Sequence, residues 1–203
     1  MPGMAEAVLT GLPGLATAMP APPASVDPYL DAAMTCFVRH GVGRTSVQDI
    51  ARELRVDRTT VYRQVGNVPS IVRLLSAREL HRMLASLPEQ VTGLHGPEVI
   101  VDLLVATIRF ALEHPVLQKA LHDEPELIGP YLIAEAPAMI DVIAFAAAPL
   151  LQAAMDAGEI APRDPVAISQ GVVRLAMALV LAPPPGDLRP VIAAIVLPML
   201  TPD

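Results

Sequence analysis

The chain has no tryptophan, only three phenylalanines and three tyrosines, one cysteine (Cys36) and one lysine (Lys119). With so few aromatic rings, a core must be built from Ala, Leu, Val, Ile and Met, a composition that favours packed helices. A single cysteine excludes an internal disulfide and fits a reducing compartment. Alternating strand patterns and internal repeats are missing too. Uninterrupted apolar runs are short: 142–155 falls below the roughly 18 residues a span needs, and prolines break the others, so no membrane partner is expected. The first 26 residues have no basic n-region, so no secretory signal is expected and the cytoplasm is the predicted location. Rich in Pro, Ala and Gly, residues 1–26 read as a flexible arm, with Val8, Leu9, Leu12 and Leu15 as its docking points.

Chemistry-bearing motifs are equally scarce. There is no Cys/His couple at metal spacing, no Gly-rich phosphate loop and no H-E-x-x-H. His40, His81, His95, His114 and His122 are scattered; His114, His122, Asp123 and Glu124 share a short helical corner, but nothing there compels a metal. No nucleophile, base and orienter can be assembled, so an enzyme is not expected, and neither is a cofactor or a resident metal.

What the chain does have is an uneven charge. The formal net charge is −7. Residues 27–82 nevertheless hold nine arginines against six carboxylates, a balance of +3, while 83–203 hold five cations against fourteen carboxylates, a balance of −9. A positive segment followed by an acidic, oily body suggests two jobs in one chain.

Helix signals divide the positive segment. Asp27-Pro28 offers an N-cap acid and a proline at the first helical position. Leu30, Ala33, Met34, Phe37 and Val38 follow as one apolar stripe, which Gly41 ends. A second, short helix starts at Thr45-Ser46: Thr45 with Gln48 fits a capping box, and Ser46 is an equally good cap. A tight turn at Arg55-Val56 leads to VDRTTVYRQV, residues 56–65. Asp57 is placed to cap the third helix, and Val56 and Val61 occupy the positions of a hydrophobic staple. A long helix follows from about 69 to 87.

Two short helices joined by a tight turn, with a third packed against them, make a helix-turn-helix, whose second helix enters the major groove N-terminus first. The residues suit that task. Arg58 has the geometry for guanine edges or phosphate; Thr59 and Thr60 suit a phosphate or a thymine methyl. The helix N-terminus attracts phosphate, and Tyr62 offers a hydroxyl on an amphipathic ring. Arg39, Arg44, Arg52, Arg55 and Arg63 surround this surface with charge that supplies sequence-independent affinity. The competing account is an ordinary capped helix with solvated charges; the three-helix context and the local charge favour double-stranded DNA.

The run YLDAAMTCFVRHGVGRTSVQDIARELRVDRTTVYRQVGNVPSIVRLL resembles the DNA-binding domain of the tetracycline-repressor (TetR) family. The marks are Ala32-Ala33, Phe37, Gly41, Thr45-Ser46, Ile50-Ala51, Val56, Arg58, Thr60 and Tyr62. The resemblance implies DNA contacts from Thr45, Ser46, Arg55, Arg58, Thr59, Thr60, Tyr62 and Arg63. It also implies a divergent helical domain behind the head that binds a small molecule and forms a homodimer through a four-helix bundle. Three positions depart from the pattern: Arg55 stands where glycine is usual in the turn, Val65 where an aromatic is common, and Val68 where a phosphate-touching lysine is common.

The fold expected is therefore all-α, with a three-helix helix-turn-helix head over 27–75 and a helical ligand-binding and dimerisation domain over 76–203. Helices are predicted at 97–113, 115–122, 125–134, 137–157, 165–181 and 188–200. The 165–181 helix is apolar nearly all round and is expected to be buried on every side, within a core or across a subunit interface; with 137–157 it is the predicted dimer bundle. Arg109, Phe110, His114, Tyr131, Phe145 and Arg174 are candidate contacts to a lipophilic effector in a mostly apolar pocket. Each has a plainer explanation, since arginines snorkel or pair at interfaces and phenylalanines fill cores. The function this points to is a DNA-binding transcriptional regulator, a repressor released from its operator by a small apolar ligand. The alternative is a ligand-independent DNA-binding protein of the same fold.

Overall fold

The computed structural model describes residues 20–91 and 96–201, with side chains of 88–91 outside the description. Within these residues the chain is all-α, without a strand. After a 3-10 turn at Ala24–Val26 come α1 (Asp27–His40), α2 (Val47–Leu54), α3 (Arg58–Val65), α4 (Val68–Val91), α5 (Glu98–Glu113), α6 (Pro115–Asp123), α7 (Pro125–Ala134), α8 (Ala136–Asp156), α9 (Pro165–Leu181) and α10 (Leu188–Leu200). The docking points expected at Val8, Leu9, Leu12 and Leu15 lie outside the described residues. The last residues of the expected arm do not: the 3-10 turn at 24–26 delivers Val26 into the head core.

Two compact units emerge. The head unit spans Met19–Arg82 together with Glu113–Ala134, so it takes in α6 and α7 as well as the helix-turn-helix. Its core takes Leu30, Ala33 and Phe37 of the stripe read from α1, joined by Cys36, and these meet Val47, Ile50 and Ala51 of α2, Val61 and Val65 of α3, and Ile71 and Leu75 of α4; Met34 is only partly buried and Val38, read as part of the stripe, is 40% exposed. Val116 of α6 packs on the same cluster. Val65, standing where a ring is common, is buried and closes the end of α3 without one.

Buried charge ties α1 to α4. Arg78 is 6% exposed, and its guanidinium reaches Asp31 Oδ1 at 2.8 Å, Glu79 Oε1 at 3.2 Å and Asp27 Oδ1 at 3.4 Å. Asp27 is thus a partner of Arg78 rather than an N-cap: α1 begins at Asp27 itself, directly out of the 3-10 turn, with no side-chain cap.

The body unit holds Met83–Leu112 and Glu135–Asp203. Here α8 and α9 pack along each other, with Gln170 Nε2 donating to Asp141 Oδ1 at 2.9 Å. The final helix buries Leu188, Ile192, Val196 and Leu200, four residues at i+4 spacing. Its start is held by Arg189, which reaches Glu98 at 2.6 Å and Asp102 at 2.9 Å on α5.

Within a single chain α9 is not buried on every side. Only Ser169 and Leu179 are buried along it. Ala167, Gly171, Arg174, Ala178 and Leu181 form an exposed stripe, and α8 leaves Ala138, Val142, Phe145, Pro149 and Ala153 exposed in the same manner. Apolar residues around most of a helix do not by themselves place it inside the unit. By length and composition α8 could cross a membrane, with a mean hydropathy of 1.7, contrary to the expectation from uninterrupted runs. Only 17% of that apolar stretch is buried in the structure, and α9 packs along the helix.

Candidate nucleic-acid interface

The helix-turn-helix is set by two local devices. At the start of α2, Ser46 is the cap and Asp49 its partner, not Thr45 with Gln48. Asp49 N–H donates to Ser46 Oγ at 3.3 Å, and Ser46 N–H and Oγ–H donate to Asp49 Oδ2 at 2.9 and 2.6 Å. The Ser46 hydroxyl and backbone N–H hold the Asp49 carboxyl below the usual carboxylate range. At the end of α2, Arg55 adopts φ 57°, ψ 42°, the only positive φ outside glycine among the described residues. Arg55 N–H donates to Arg52 O at 3.2 Å and Val56 N–H to Ala51 O at 3.0 Å, the two bonds of a Schellman motif. A non-glycine residue in this left-handed conformation costs about 1 kcal/mol. The departure noted in the sequence therefore carries real strain, and it places an exposed cation at the turn.

Helix α3 then starts from Asp57, which sits at the N-cap position but makes no side-chain cap bond. The staple is also incomplete, since Val61 is fully buried while Val56 remains 39% exposed. With these local ties absent, the seating of α3 rests on Val61 and Val65 in the core. Its outer face shows Arg58, Thr59, Tyr62 and Arg63 exposed and Thr60 half-buried. Gly66, at φ 78°, ends the helix, and Asn67 Oδ1 accepts from Ser70 N–H at 3.0 Å to open α4.

Of the predicted DNA contacts, Thr45 is displaced. It is buried, and its hydroxyl donates to Gly41 O at 2.6 Å, so it shapes the loop instead of offering a donor outward. The structure also sorts the surrounding arginines. Arg39 pairs with Glu53 at 3.1 Å and Arg52 with Asp49 at 3.0 Å, so two of the five cations expected to supply field are compensated. Arg78, Arg82 and Lys119 are compensated too. Among the described residues of the head unit, Arg44, Arg55, Arg58, Arg63 and Arg73 have no carboxylate at ion-pair distance. Arg58, Arg63 and Arg55 lie on α3 and the turn before it; Arg73, which donates to Ser70 Oγ at 3.0 Å, lies on the first turns of α4. Three of these five bare cations therefore sit on the helix that the pattern singled out or on the turn before it, while Arg44 lies in the α1–α2 loop.

One residue that holds this surface in shape was not legible as such. Glu124, at the C-terminal end of α6, is 3% exposed. Its carboxylate accepts from Val42 N–H at 2.6 Å and Gly43 N–H at 2.9 Å, the backbone of the α1–α2 loop. A Cβ on Gly41 would lie 2.6 Å from that carboxyl group, and Gly41 has φ 89°. Two glycines around a backbone that must admit a side chain are the signal the sequence carried; nothing in it said which side chain. Beside this clamp lies a cleft of about 590 Å³ lined by Arg39, His40, Arg44, Asp49, Arg52, Lys119, Asp123 and Glu124, charged throughout and unlike the apolar pocket expected for an effector.

The six candidate effector contacts are divided. His114 and Tyr131 belong to the head unit, and Arg109, Phe110, Phe145 and Arg174 to the body. His114 Nδ1 accepts from Leu117 N–H at 3.3 Å as the N-cap of α6, and burial holds its pKa below the ordinary imidazole value of 6.5. Phe145 is 77% exposed on the open stripe of α8. Arg174 is exposed on that of α9, donating to Gln170 O at 3.1 Å. Both face away from the chain's own interior, because the apolar pattern that suggested a pocket wall is also that of an uncovered helix face. The helical corner with His122, Asp123 and Glu124 serves structural ends, Asp123 pairing with Lys119 at 2.6 Å. Among the described residues no three His, Cys, Asp or Glu side chains gather as a metal site.

Comparison with known proteins bears on the head and the fold separately. Residues 30–66 match the family described as bacterial regulatory proteins, tetR family. No curated protein matches the whole sequence. Among solved structures, the chain is similar to the transcriptional repressor QsdR of the TetR family from R. erythropolis. Identity is 22%, coverage 89% of this chain and 98% of that one, and TM-score 0.57. It is similar to the fatty acid degradation regulator FadR from Bacillus halodurans, with 17% identity, 88% and 96% coverage and TM-score 0.64. SmeT, solved as a complex with triclosan, is similar at 21% identity, 89% and 93% coverage and TM-score 0.60.

Proposed function

The chain carries a tetR-family head on the fold of TetR-family regulators, and from that premise we propose that it is a dimeric transcriptional repressor released from its operator by a small apolar ligand. The observation that carries DNA binding is the outer face of α3: Arg58, Thr59, Tyr62 and Arg63 stand exposed, with the uncompensated cations of the head unit beside them. A helix that leads with such residues presents hydrogen-bond donors to base edges while its neighbours neutralise phosphate.

Pairing of two chains is supported by the open stripes of α8 and α9. Their small and apolar residues, Ala138, Val142, Ala153, Ala167, Gly171 and Ala178, allow close approach of a second pair of helices. Two heads would then read half-sites about 34–36 Å apart, or a multiple of that. Release by a ligand requires only that it prefer a different separation of the heads, a coupling of about 1–3 kcal/mol. The apolar effector draws support from analogy, since SmeT is solved with triclosan.

The test is titration of the purified protein against duplexes tiled across the DNA upstream of its own gene. Specific binding is expected with log K falling against log salt by about 0.9 per neutralised phosphate, hence steeply. No binding to any tile at low salt would overturn the proposal. A thermal-shift screen against lipophilic compounds separates the ligand-independent alternative. A regulator with an effector site gains stability from a hit as RT ln(1 + [L]/Kd), and that hit should weaken the DNA complex.

A further inference from the structure

The leading turns of α3 hold a side-chain pair that charge alone does not require. Arg58 and Tyr62 are four residues apart, hence neighbours on one face. The Arg58 guanidinium carbon lies 5.0 Å from the centroid of the Tyr62 ring, and Arg58 Nη2 donates to Tyr62 Oη at 3.2 Å. Both side chains are exposed. An exposed arginine ordinarily samples many rotamers. This one is held by a ring face and a hydrogen bond. Tyr62 is one of only three tyrosines in the chain, and it stands 41% exposed, outside the buried cluster that holds Val61 and Val65.

We propose that Arg58 reads a guanine in each half-site and that Tyr62 is its positioning residue. The inference rests on α3 being the helix that enters the groove. Guanine offers O6 and N7 as two acceptors in one plane, the match for a guanidinium fork. The bond to Tyr62 uses one N–H of Nη2 and leaves its second N–H and those of Nη1 as donors for the base. It also removes rotamer freedom before DNA arrives, so less is lost on binding. The Tyr62 oxygen accepts from Arg58 and keeps its own O–H to donate to a backbone phosphate. Arg63 has no such partner and acts through charge, as does Arg55.

The experiment selects duplexes from a random pool with the full-length protein, then measures affinity for the selected duplex and for versions with each G·C pair changed to A·T. Wild type is expected to lose about 5- to 150-fold at one guanine per half-site, the range for a bidentate base contact. Arg58→Ala should bind both duplexes alike. Tyr62→Phe, which retains the ring, should keep most of the discrimination, and Tyr62→Leu should lose most of it. Arg63→Ala should weaken every duplex by one common factor. Unaltered melting curves establish that these exposed substitutions leave the fold intact. Guanine discrimination that survives Arg58→Ala, or that Tyr62→Leu leaves at the wild-type value, overturns this assignment alone. A wild-type protein that enriches no duplex overturns the DNA-binding reading beneath it.

Discussion

The head and the body are both made of helices with apolar faces, yet they end differently. Leu30, Phe37, Ile50 and Val61 of the head are wholly removed from solvent by other parts of the same unit. In the body, α9 buries two residues of seventeen, and α8 leaves a phenylalanine in the open. The head closes its own core and turns charge outward; the α8–α9 pair turns an apolar face outward. Hydrophobic content is thus a poor guide to where burial is completed. Period and surroundings decide it: the stripe in α1 faces helices that follow within forty residues, whereas α9 keeps an exposed stripe among the described residues.

This contrast can be broken at several points. The largest effect is expected from Phe37→Ala, which empties the centre of the head and should cost about 3–5 kcal/mol, read as the urea midpoint of the head's unfolding. Next is Phe145→Asp. In a lone chain this exposed position should change stability by less than about 0.5 kcal/mol. In a dimer closed by α8 and α9 it should cost about 2 kcal/mol or more, seen in sedimentation as dissociation with helix content intact. A variant that stays dimeric would move the interface elsewhere. Glu124→Ala leaves two backbone N–H groups of the α1–α2 loop without acceptors and should destabilise the head by about 2 kcal/mol; Glu124→Gln, which keeps one acceptor, should cost less.

Smaller still is the pH effect at His114. Burial depresses its folded pKa below 6.5, with the nearby Glu79 opposing and Arg82 reinforcing the shift. Below pH 6.5 the unfolded chain binds a proton that the folded chain refuses, so stability falls as pH drops toward the lowered folded value and is unaffected above 6.5. His114→Asn retains a capping residue and should flatten the difference in melting temperature between pH 7.5 and 5.5. Arg55→Gly relieves the left-handed strain and should add up to about 1 kcal/mol to the thermal stability of the head, offset in part by the freedom glycine gains in the unfolded chain.

Element positions were well marked in the sequence. The spans 165–181 and 188–200 are those observed, because Asp164-Pro165 and Asp187 open the two helices and prolines and glycine separate them. The three-helix head was legible for the same reason, since its caps and stripes are local. Ambiguity between Thr45 and Ser46 was also local, and was resolved by Asp49 rather than Gln48 standing at the right helical position. The effector residues were the least legible. A pocket is a property of several helices at once, and the pattern that marks its wall also marks an uncovered face, as Phe145 and Arg174 demonstrate. Glu124 was out of reach for a different reason: its partners lie 81 and 82 residues earlier.

That distance bears on how the recognition module can be dissected. A fragment cut at residue 75 would contain every side chain on the outer face of α3, yet would lack the carboxylate that fills the loop behind it, the apolar contact of Val116 and the Arg78 anchor for Asp31. The compact unit that carries the proposed recognition helix is therefore discontinuous, assembled from residues 19–82 and a returning pair of helices within 113–134.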